Sequence, residues 1–417
     1  MQRLKNALVA GCALIAADCV LANVATAQEL DVWSISYDSD IQREALRRAA
    51  EKFEEEHPGT NVQITMRGTD EHKTALRVSA GSDNGPDIFL SWAGRGLGGE
   101  YVLAGLSRDL TEYYEKYNLA DRFSVPSLSF VDDFGEGMHG VPFRFTGEGV
   151  FYDKRAFEKA GITAEPETYE ELKSAAEALK AVGIPAFAFG GTVNWHLMRL
   201  MDNVLEAVCG AETHDALKKM ELDWSATPCA EQSFVEFKEW TDNYILSPFM
   251  GIDNKQAFSL FVGQRAAMML ETDHQVNQLI EAGVDFDDYG LFKFPTPDGR
   301  LYGFAEYLYI SSKSENPELA FQFIDMFTDV DYQTEIKGAF GALPVNTAVK
   351  QDADVNPIYQ EWTTLLADAP GTFVNGDQAF PLDVTTEYFR VFNQVATGEI
   401  APSDADDTMA TFIANRG

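Results

Sequence analysis

The sequence predicts an α/β protein of two domains built around parallel β-sheets. The first observation is the stretch 81–110, in which a turn signal at 84–86 leads into a short apolar run at 87–90. A glycine-rich loop and a helix ending near Gly105 follow, an order typical of a buried strand in a parallel sheet. The second observation is length. About 390 residues follow an N-terminal leader, more than a single hydrophobic core usually holds.

The opening of the chain has a β-α-β pattern. A strand is predicted over 29–35, a helix begins at the N-cap candidate Asp40, and a second strand is predicted over 61–66. The loop between the first strand and the helix lacks the G-x-G-x-x-G pattern that dinucleotide binding requires. A nucleotide cofactor is therefore not expected.

Polar and aromatic side chains follow three successive predicted strands. Tyr37 and Asp38 follow the first strand, Asp70 follows the second, and Trp92 and Arg95 follow the third. Because ligands of parallel sheets bind beyond the carboxyl ends of the strands, we expect these side chains to meet in one binding site. The alternative is that the polar residues only cap helices and that Trp92 belongs to a core.

Later segments show helical or strand periodicity. Strands are predicted over 185–189 and 265–271, and helices over 153–161, 169–182, 196–208, 231–245, 254–262, 317–327, 357–368, 384–396 and 404–414. The aromatic residues Phe234, Phe237, Trp240 and Tyr244 are spaced like one helix face. We expect them in a core rather than in a site.

Several motifs occur in a consistent order through nearly the whole chain after the leader. They are DVWSIS, FEEEHPGTNVQI, PDI with AGLSRDLT, VPFRFTGEGVFYDKRAFEKAGI, VGQRAAMML, YGLFKFPTPDG, SSKSENPELAFQFIDMF and GALPV. Together they resemble the extracellular solute-binding proteins of ABC importers, in the branch that includes maltose-binding protein and other sugar binders. The resemblance implies the type II periplasmic binding protein fold, in which two lobes, each a mostly parallel sheet flanked by helices, are joined by a hinge.

The same resemblance implies where the lobes divide. The N-terminal lobe would contain 28–143 with about 300–345, and the C-terminal lobe 144–299 with about 346–417. The segment 141–152, extended but interrupted by proline and glycine, corresponds to the family's hinge.

Ligand contacts are also implied by the resemblance. Thr146 lies where the sugar binders often carry a polar contact, and Arg144 is close by, although it could instead form an interdomain salt bridge. In the loop that corresponds to the family's ligand loop, Asn194 offers a hydrogen-bonding group and Trp195 a stacking face. Trp92 and Trp195 would then contact one ligand from two sides.

The chain departs from the family pattern at two places. Where members often read Gly-small-Trp, this chain has ETDHQ at 271–275, so that Asp273 and His274 replace the aromatic platform. Where a glycine pair is common, GFAE at 303–306 brings in Glu306. These acidic and polar groups are expected to bind sugar hydroxyls, but the particular sugar does not follow from the family.

Residues 1–27 have the charged start, apolar core and A-x-A end of a secretory signal, which predicts a protein exported to the periplasm. Two of the four cysteines lie in this leader, which leaves Cys209 and Cys229 in an oxidising compartment. An even number of cysteines there predicts a disulfide bond between them. The six histidines are scattered, and no metal site is expected.

The chain is strongly acidic, with a formal charge of −34. Removal of Arg3, Lys5 and Asp18 with the leader leaves 30 basic and 65 acidic residues, a charge of −35. Such a charge opposes binding to nucleic acid or to anionic membrane surfaces. It gives no information about the ligand.

The sequence favours binding over catalysis. It lacks the G-x-S-x-G, H-E-x-x-H and P-loop signatures, and with so many carboxylates a glycosidase pair is not recognisable. We therefore expect a monomeric carbohydrate-binding protein without a cofactor, whose partners are a small sugar ligand and the transmembrane subunits of an ABC permease. The alternatives are a polyamine, peptide or anion as the ligand, or a secreted glycan-active enzyme.

Overall fold

The computed structural model of the protein describes residues 28–82, 84–132, 134–350 and 356–416. The predicted signal segment 1–27 lies outside the described residues. Within the described ranges, no helix combines the length and apolar character needed to cross a membrane.

The strands form one eight-stranded sheet with the order β2-β1-β3-β7-β4-β5, to which β6 adds beside β4 and β8 beside β7. They are β1 (Gln28–Ile35), β2 (Thr60–Arg67), β3 (Ile88–Trp92), β4 (Val141–Asp153), β5 (Met268–Thr272), β6 (Tyr289–Phe292), β7 (Leu301–Ile310) and β8 (Thr372–Phe373). The ladders of β1 with β2 and β3 are parallel, as is that of β7 with β8. The ladders of β4 with β5, β6 and β7, and of β3 with β7, are antiparallel.

Helices cover the sheet. They are α1 (Asp40–Glu56), α2 (Thr69–Ala80), α3 (Gly98–Leu103), α4 (Thr111–Tyr117), α5 (Val125–Leu128), α6 (Lys154–Lys159), α7 (Tyr169–Ala181), α8 (Asn194–Cys209), α9 (Ala211–Lys218), α10 (Pro228–Asn243), α11 (Asn254–Val262), α12 (Gln275–Ala282), α13 (Pro317–Thr328), α14 (Val330–Glu335), α15 (Pro357–Asp368), α16 (Gly376–Ala379), α17 (Leu382–Thr397) and α18 (Ala405–Ala414). The predicted α/β class is confirmed.

Helix α1 shows how the sequence selects these elements. Ser39 adopts an extended conformation and its side chain accepts a hydrogen bond from the backbone N–H of Ile41, so Ser39 is the N-cap. The sequence had placed the cap at Asp40, which is instead the first helical residue. Ala45, Ala49 and Phe53 recur at helical spacing and are buried against the sheet.

The apolar side chains form two large buried clusters. One cluster takes its residues from positions 30–143 and 305–345, and the other from 150–294 and 380–409. A smaller cluster that includes Phe151, Met269 and Trp362 lies beside the second cluster's segments. Burial of apolar surface stabilises each cluster by about 25 cal/mol per Å² removed from water.

Strand β4 passes from one large cluster to the other. Its first part, through Gly147, pairs with β7, and its last six residues pair with β5 and β6. Val141 and Phe143 pack in the first cluster, whereas Val150 and Tyr152 pack in the second. This matches the extended crossing segment that the sequence predicted over 141–152.

Two predicted strands differ from the structure. The segment 185–189 is extended beside β5, but its regular pairing is limited to bridges of Phe187 with Ile245 and Met268. The strand predicted from position 265 begins at Met268. In both cases buried apolar residues continue beyond the hydrogen-bonded ladder, so periodicity does not locate the ends.

The disulfide prediction is confirmed. Cys209 at the end of α8 and Cys229 in the first turn of α10 are bonded, with 5.2 Å between their Cα atoms. The aromatic residues of α10 and its C-cap, Phe234, Phe237, Trp240 and Tyr244, are buried as predicted.

Candidate functional site

A cavity of about 500 Å³ lies between the two large clusters. Its walls come from the loop after β1, the loop after β2 with the first turn of α2, the last residue of β3, Arg144 of β4, the first turns of α8 and α11, the end of β5, the strand β7 and the segment before α17. The residues that line the cavity include Tyr37, Asp38, Asp70, Glu71, Lys73, Trp92, Arg144, Trp195, Arg199, Asn254, Lys255, Thr272, His274, Tyr302, Phe304, Glu306 and Asp377.

The carboxyl ends of β2, β1 and β3 meet at this cavity, as their parallel order requires. Tyr37 is buried, and its hydroxyl donates a hydrogen bond to Glu306 Oε2 at 3.1 Å. Asp38 is half-buried and Asp70 is exposed. The first two loops therefore contribute one phenol and two carboxylates.

Trp92 is the last residue of β3 and pairs with Glu306 of β7, whereas the sequence placed it in the following loop. The indole is half-buried and packs against the small aromatic cluster of Tyr302, Phe304 and Phe373. The Lys73 ammonium lies 4.8 Å from the ring centroid, within the range of a cation–π interaction.

The glycine-rich loop after β3 has a packing role. A Cβ on Gly96 would lie 2.3 Å from the carbonyl oxygen of Phe380 and 2.4 Å from that of Asp377. Gly94 has φ +119°, and a Cβ there would be 2.7 Å from Gln378. Only glycine allows this backbone contact, which brings Asp377 to within 3.1 Å of Lys73 Nζ.

Trp195 lies in the first turn of α8 and is half-buried. The guanidinium of Arg199, one turn further along α8, lies 4.8 Å from the indole centroid. Arg199 forms ion pairs with Glu148, at 2.6 Å from Nε, and with Glu271. Burial lowers the pKa of Arg199, but the two carboxylates raise it by more than burial lowers it. The net pKa is therefore above its ordinary value, and the guanidinium stays charged.

Arg144 occupies the floor of the cavity, where β4 crosses between the clusters. Its Nη1 donates to Glu306 at 3.2 Å and its Nη2 to Asp273 at 2.9 Å. Asp273 also accepts from Thr146 Oγ1 at 2.6 Å and from the backbone N–H of Ala342 at 2.7 Å. This buried network ties β4, β5, β7 and the 341–344 loop together.

Burial also determines the charge of several groups near the cavity. It raises the pKa of Glu306, which Arg144 opposes, and it raises the pKa of Glu148 well above its usual value. Burial lowers the pKa of His196 and of His274 to about 3, so both imidazoles are neutral at pH 7. Of these groups His274 and Glu306 line the cavity, and the neutral imidazole of His274 adds no positive charge to the wall.

Contacts across the cavity join the two sides of the molecule. Asp38 accepts a hydrogen bond from Asn254 Nδ2 at 2.9 Å and pairs with Lys255 Nζ at 3.0 Å. At the start of α1, Ser39 Oγ donates to Glu281 Oε1 of α12 at 2.8 Å. These contacts join side chains from opposite sides of the cavity.

The structure places eight of the twelve residues predicted for the ligand site on the cavity wall. These are Tyr37, Asp38, Asp70, Trp92, Arg144, Trp195, His274 and Glu306. Their roles as ligand contacts stay predictions.

The other four predicted residues are placed elsewhere. Thr146 and Asp273 are fully buried behind Arg144 and hold that side chain in position. Asn194 is exposed and accepts a hydrogen bond from Asn393 at 2.8 Å, and Arg95 is exposed outside the cavity lining. None of these four contributes to the cavity wall.

Several lining residues were not singled out from the sequence. Arg199 is the most informative, because Trp195, Arg199, Asp202 and Glu206 recur at helical spacing in α8, a helix whose later turns are buried. Charges on one face of a buried helix are a signal that sequence reasoning could have used. Lys73, Lys255 and Asp377 carried no comparable signal because their neighbours become adjacent only in the fold. Within the part of the chain that the structure describes, no group of three or more His, Cys, Asp or Glu side chains is arranged to hold a metal ion.

Comparison with known proteins adds sequence and structural evidence. Residues 39–334 match the family of bacterial extracellular solute-binding proteins. A protein described as a binding protein in Brucella abortus strain 2308 is 25% identical over 388 residues, which cover 88% of this chain and 88% of the relative. A maltotriose-binding protein of Pyrococcus abyssi is 23% identical over 305 residues, which cover 71% of this chain and 62% of the relative.

Solved structures share the fold. A chitin oligosaccharide binding protein has a TM-score of 0.84 at 23% identity, with 92% of this chain and 97% of that chain covered. A maltose-bound protein of T. maritima has a TM-score of 0.77 at 20% identity, with 93% and 99% covered. At these identities the likeness establishes the type II two-lobe fold.

Proposed function

The chain belongs to the bacterial extracellular solute-binding proteins, and we propose that it captures a carbohydrate between two closing lobes and delivers it to the permease of an ABC importer. In this proposal the lobes correspond to the two large buried clusters, and β4 forms part of the hinge between them. The predicted signal segment and the family together support a periplasmic protein. The protein acts as a monomer and needs no cofactor.

The observation that carries the proposal is a pair of half-buried tryptophans in a cavity that also holds fixed polar groups. Trp92 and Trp195 come from segments of different clusters and both line the cavity. Aromatic faces stack on the apolar C–H faces of sugar rings, while carboxylates and guanidinium groups bind hydroxyls. The volume of about 500 Å³ lies in the range of about 300–1,000 Å³ that small-molecule sites occupy.

Relatives support the same ligand class. The names of similar proteins specify maltotriose, chitin oligosaccharide and maltose as ligands of those proteins. Because the identities are 23% or lower for these three, we transfer only the class of carbohydrate and not a particular sugar.

Binding fits the site better than hydrolysis. A glycosidase needs two carboxyl groups on either side of the scissile bond. Glu148 and Glu271 are buried and bind Arg199 behind the cavity wall, and on the wall Asp38, Glu306 and Asp377 are paired with cations of the protein. Prolonged incubation with the best sugar should return that sugar unchanged, and steady protein-dependent product formation would contradict this part of the proposal.

A polyamine is the second candidate ligand. It is favoured by the carboxylates Asp70 and Glu71 on the cavity wall, which together with aromatic faces suit an ammonium group. A thermal-shift screen of neutral oligosaccharides, sugar acids and polyamines separates the candidates, since a ligand of the native state raises the melting temperature. We expect a shift with a neutral oligosaccharide. An increase in melting temperature with spermidine but with none of the sugars would show that the ligand is a polyamine and not a carbohydrate.

A further inference from the structure

We propose that the cavity accepts only carbohydrates without negative charge and rejects sugar acids and sugar phosphates. This inference rests on the proposed function and narrows its ligand class. It comes from the arrangement of charges around the cavity: every cationic side chain on the described part of the wall is already paired with a carboxylate of the protein.

The two lysines on the wall each have one acidic partner. Lys73 Nζ lies 3.1 Å from Asp377 Oδ2, and Lys255 Nζ lies 3.0 Å from Asp38 Oδ1. Both partners line the cavity themselves. An anionic ligand that approached either lysine would therefore meet the carboxylate that the lysine already neutralises.

The two arginines each have two acidic partners. Arg144 pairs with Asp273 and Glu306, and Arg199 pairs with Glu148 and Glu271. Burial favours the protonated form of Glu306 and of Glu148. In either case Asp273 remains paired with Arg144 and Glu271 with Arg199, so neither guanidinium is without an acidic partner.

Two further acidic side chains on the wall are not paired with any of these four cations. Asp70 and Glu71 line the cavity in addition to the acidic partners of the lysines and arginines. The wall thus carries five carboxylates against four cations, and three more carboxylates contact the arginines from behind. The resulting field repels an anion.

Helix starts could offset this field, because unpaired backbone N–H groups attract anions. Three helices that begin at the cavity already have acidic or hydroxyl groups in that position. Ser39 and Glu281 accept from the Ile41 N–H in the first turn of α1, Asp70 and Glu71 lie in the first turn of α2, and Asp253 caps α11. The acidic groups at these three helix starts oppose an anion there, whereas α8, whose first turn also lines the cavity, has no side-chain cap.

Calorimetric titration with matched trisaccharides tests the inference. The probes are maltotriose, cellotriose and chitotriose as neutral sugars, the C6-oxidised uronic acid forms of maltotriose and cellotriose, and trigalacturonate. We expect oxidised maltotriose and oxidised cellotriose each to bind at least about 100-fold more weakly than the unoxidised trisaccharide at physiological salt.

An acid that binds as tightly as its neutral counterpart would overturn the inference while leaving carbohydrate binding intact. If only the acids bind, the inference is likewise overturned. If none of the probes binds but spermidine does, the proposed function fails and this inference fails with it. The outcomes are therefore distinguishable.

Two variants test the electrostatic cause. Asp377→Asn removes the acidic partner of Lys73, and Asp38→Asn removes that of Lys255. Each substitution should reduce the gap, meaning the ratio of the dissociation constants of the acid and the neutral sugar, by about tenfold. Asp287→Asn, an exposed change outside the cavity, is the matched control and should leave the gap unchanged. Thermal melts confirm that each variant is folded. An unaltered gap in both cavity variants would refute the charge explanation.

Discussion

Trp92 and Trp195 each have a cation over the indole ring, and each cation is held by a carboxylate. Lys73 is fixed over Trp92 by Asp377, and Arg199 is fixed over Trp195 by Glu148 and Glu271. The ring orientation is therefore set before a ligand enters. A site that is already ordered loses less conformational entropy on binding.

The first prediction concerns these two tryptophans. Trp92→Ala and Trp195→Ala should each weaken binding of the best sugar by about 1–3 kcal/mol, as desolvated aromatic anchors do. The free energy of unfolding should fall less than for a fully buried tryptophan, because both indoles are only half-buried. Calorimetric titration and urea unfolding of the same samples measure the two effects.

Trp240→Ala is the matched control for this prediction. Trp240 is fully buried in the α10 core, so its truncation should cost about 3–5 kcal/mol of stability. Affinity measured on the folded fraction should be unaltered. Wild-type affinity in both cavity variants would mean that the sugar binds elsewhere.

The second prediction concerns His72, which is fully buried and hydrogen-bonded through Nε2 to the carbonyl oxygen of Leu90 at 2.7 Å. Burial lowers the pKa of His72 from 6.5 to about 4. The unfolded chain therefore takes up a proton between these pH values that the folded chain does not. The stability that neutral His72 provides is fully present above pH 6.5 and is lost as the pH falls toward 4.

Comparison with His72→Gln isolates this contribution, since other titrating groups are common to both proteins. Between pH 6.5 and 4, the free energy of unfolding of the wild type should fall by up to about 3 kcal/mol relative to the variant. Urea unfolding at several pH values gives the difference. Parallel pH curves for the two proteins would show that His72 titrates normally.

At the residue scale, the sequence identified groups that follow strands and missed groups that depend on neighbours. Tyr37, Asp38 and Trp92 were found because strand ends can be located from apolar runs. Thr146 and Asp273 were predicted as ligand contacts, but Asp273 binds Arg144 and Thr146 binds Asp273, because the sequence does not reveal which polar side chains pair with each other behind the cavity. Asn194 begins α8 and is exposed beside Asn393, because the sequence does not reveal which way the first residue of a helix faces.

At the element scale, the disulfide links the end of α8 to the start of α10 and closes a loop with a sequence separation of 20. The third prediction is that Cys229→Ser lowers the free energy of unfolding by about 3 kcal/mol, the chain-entropy value for a loop of this size. Sugar affinity should be unaltered, because neither cysteine lines the cavity.

Intact-mass measurement with and without reductant checks the bond, and urea unfolding checks its effect. The double variant Cys209→Ser/Cys229→Ser should lose its response to reductant. Two free thiols in the exported wild type would contradict the prediction.

The fourth prediction concerns the contact between α1 and α12. The Glu281 carboxylate accepts hydrogen bonds from Ser39 Oγ at 2.8 Å and from the Ile41 N–H at 3.2 Å, so it extends the N-cap of α1 from the opposite side of the cavity. This contact exists only while the two sides are together. Glu281→Ala should therefore weaken sugar binding by about 0.5–1 kcal/mol, mainly through faster dissociation.

The control for this prediction is Asp287→Asn, which changes an exposed acid outside the cavity. Stopped-flow dissociation of the sugar complex measures the effect. Equal dissociation rates in Glu281→Ala and the wild type would show that the contact does not favour closure.

Helices were predicted better than strands at this scale. The helices α11 and α15 begin and end where periodicity placed them, because caps and prolines mark their limits. The segment 185–189 differs because its apolar run continues where regular pairing does not, and pairing depends on a partner far along the chain. The antiparallel pairing of β4 with β7 was likewise beyond sequence periodicity.

At the scale of the whole molecule, β4 connects the two clusters, and the cavity is lined there by Arg144 of β4 and Glu306 of the neighbouring β7. Arg144, Asp273 and Glu306 join these strands to β5 beneath the cavity, and the Asp38–Lys255 and Lys73–Asp377 pairs join its sides. We propose that opening breaks the side contacts and keeps the buried network. The two lobes and the hinge were predictable only through the resemblance, since no linker or repeat marks the division.

The central claim is that a sugar binds between Trp92 and Trp195. The most direct measurement is a crystal structure of the protein with the oligosaccharide that gives the largest thermal shift. The proposal predicts sugar rings within van der Waals contact of both indoles, with hydroxyls bound by the carboxylates and guanidinium groups of the cavity. A sugar located in another groove, or in contact with neither indole, would contradict it.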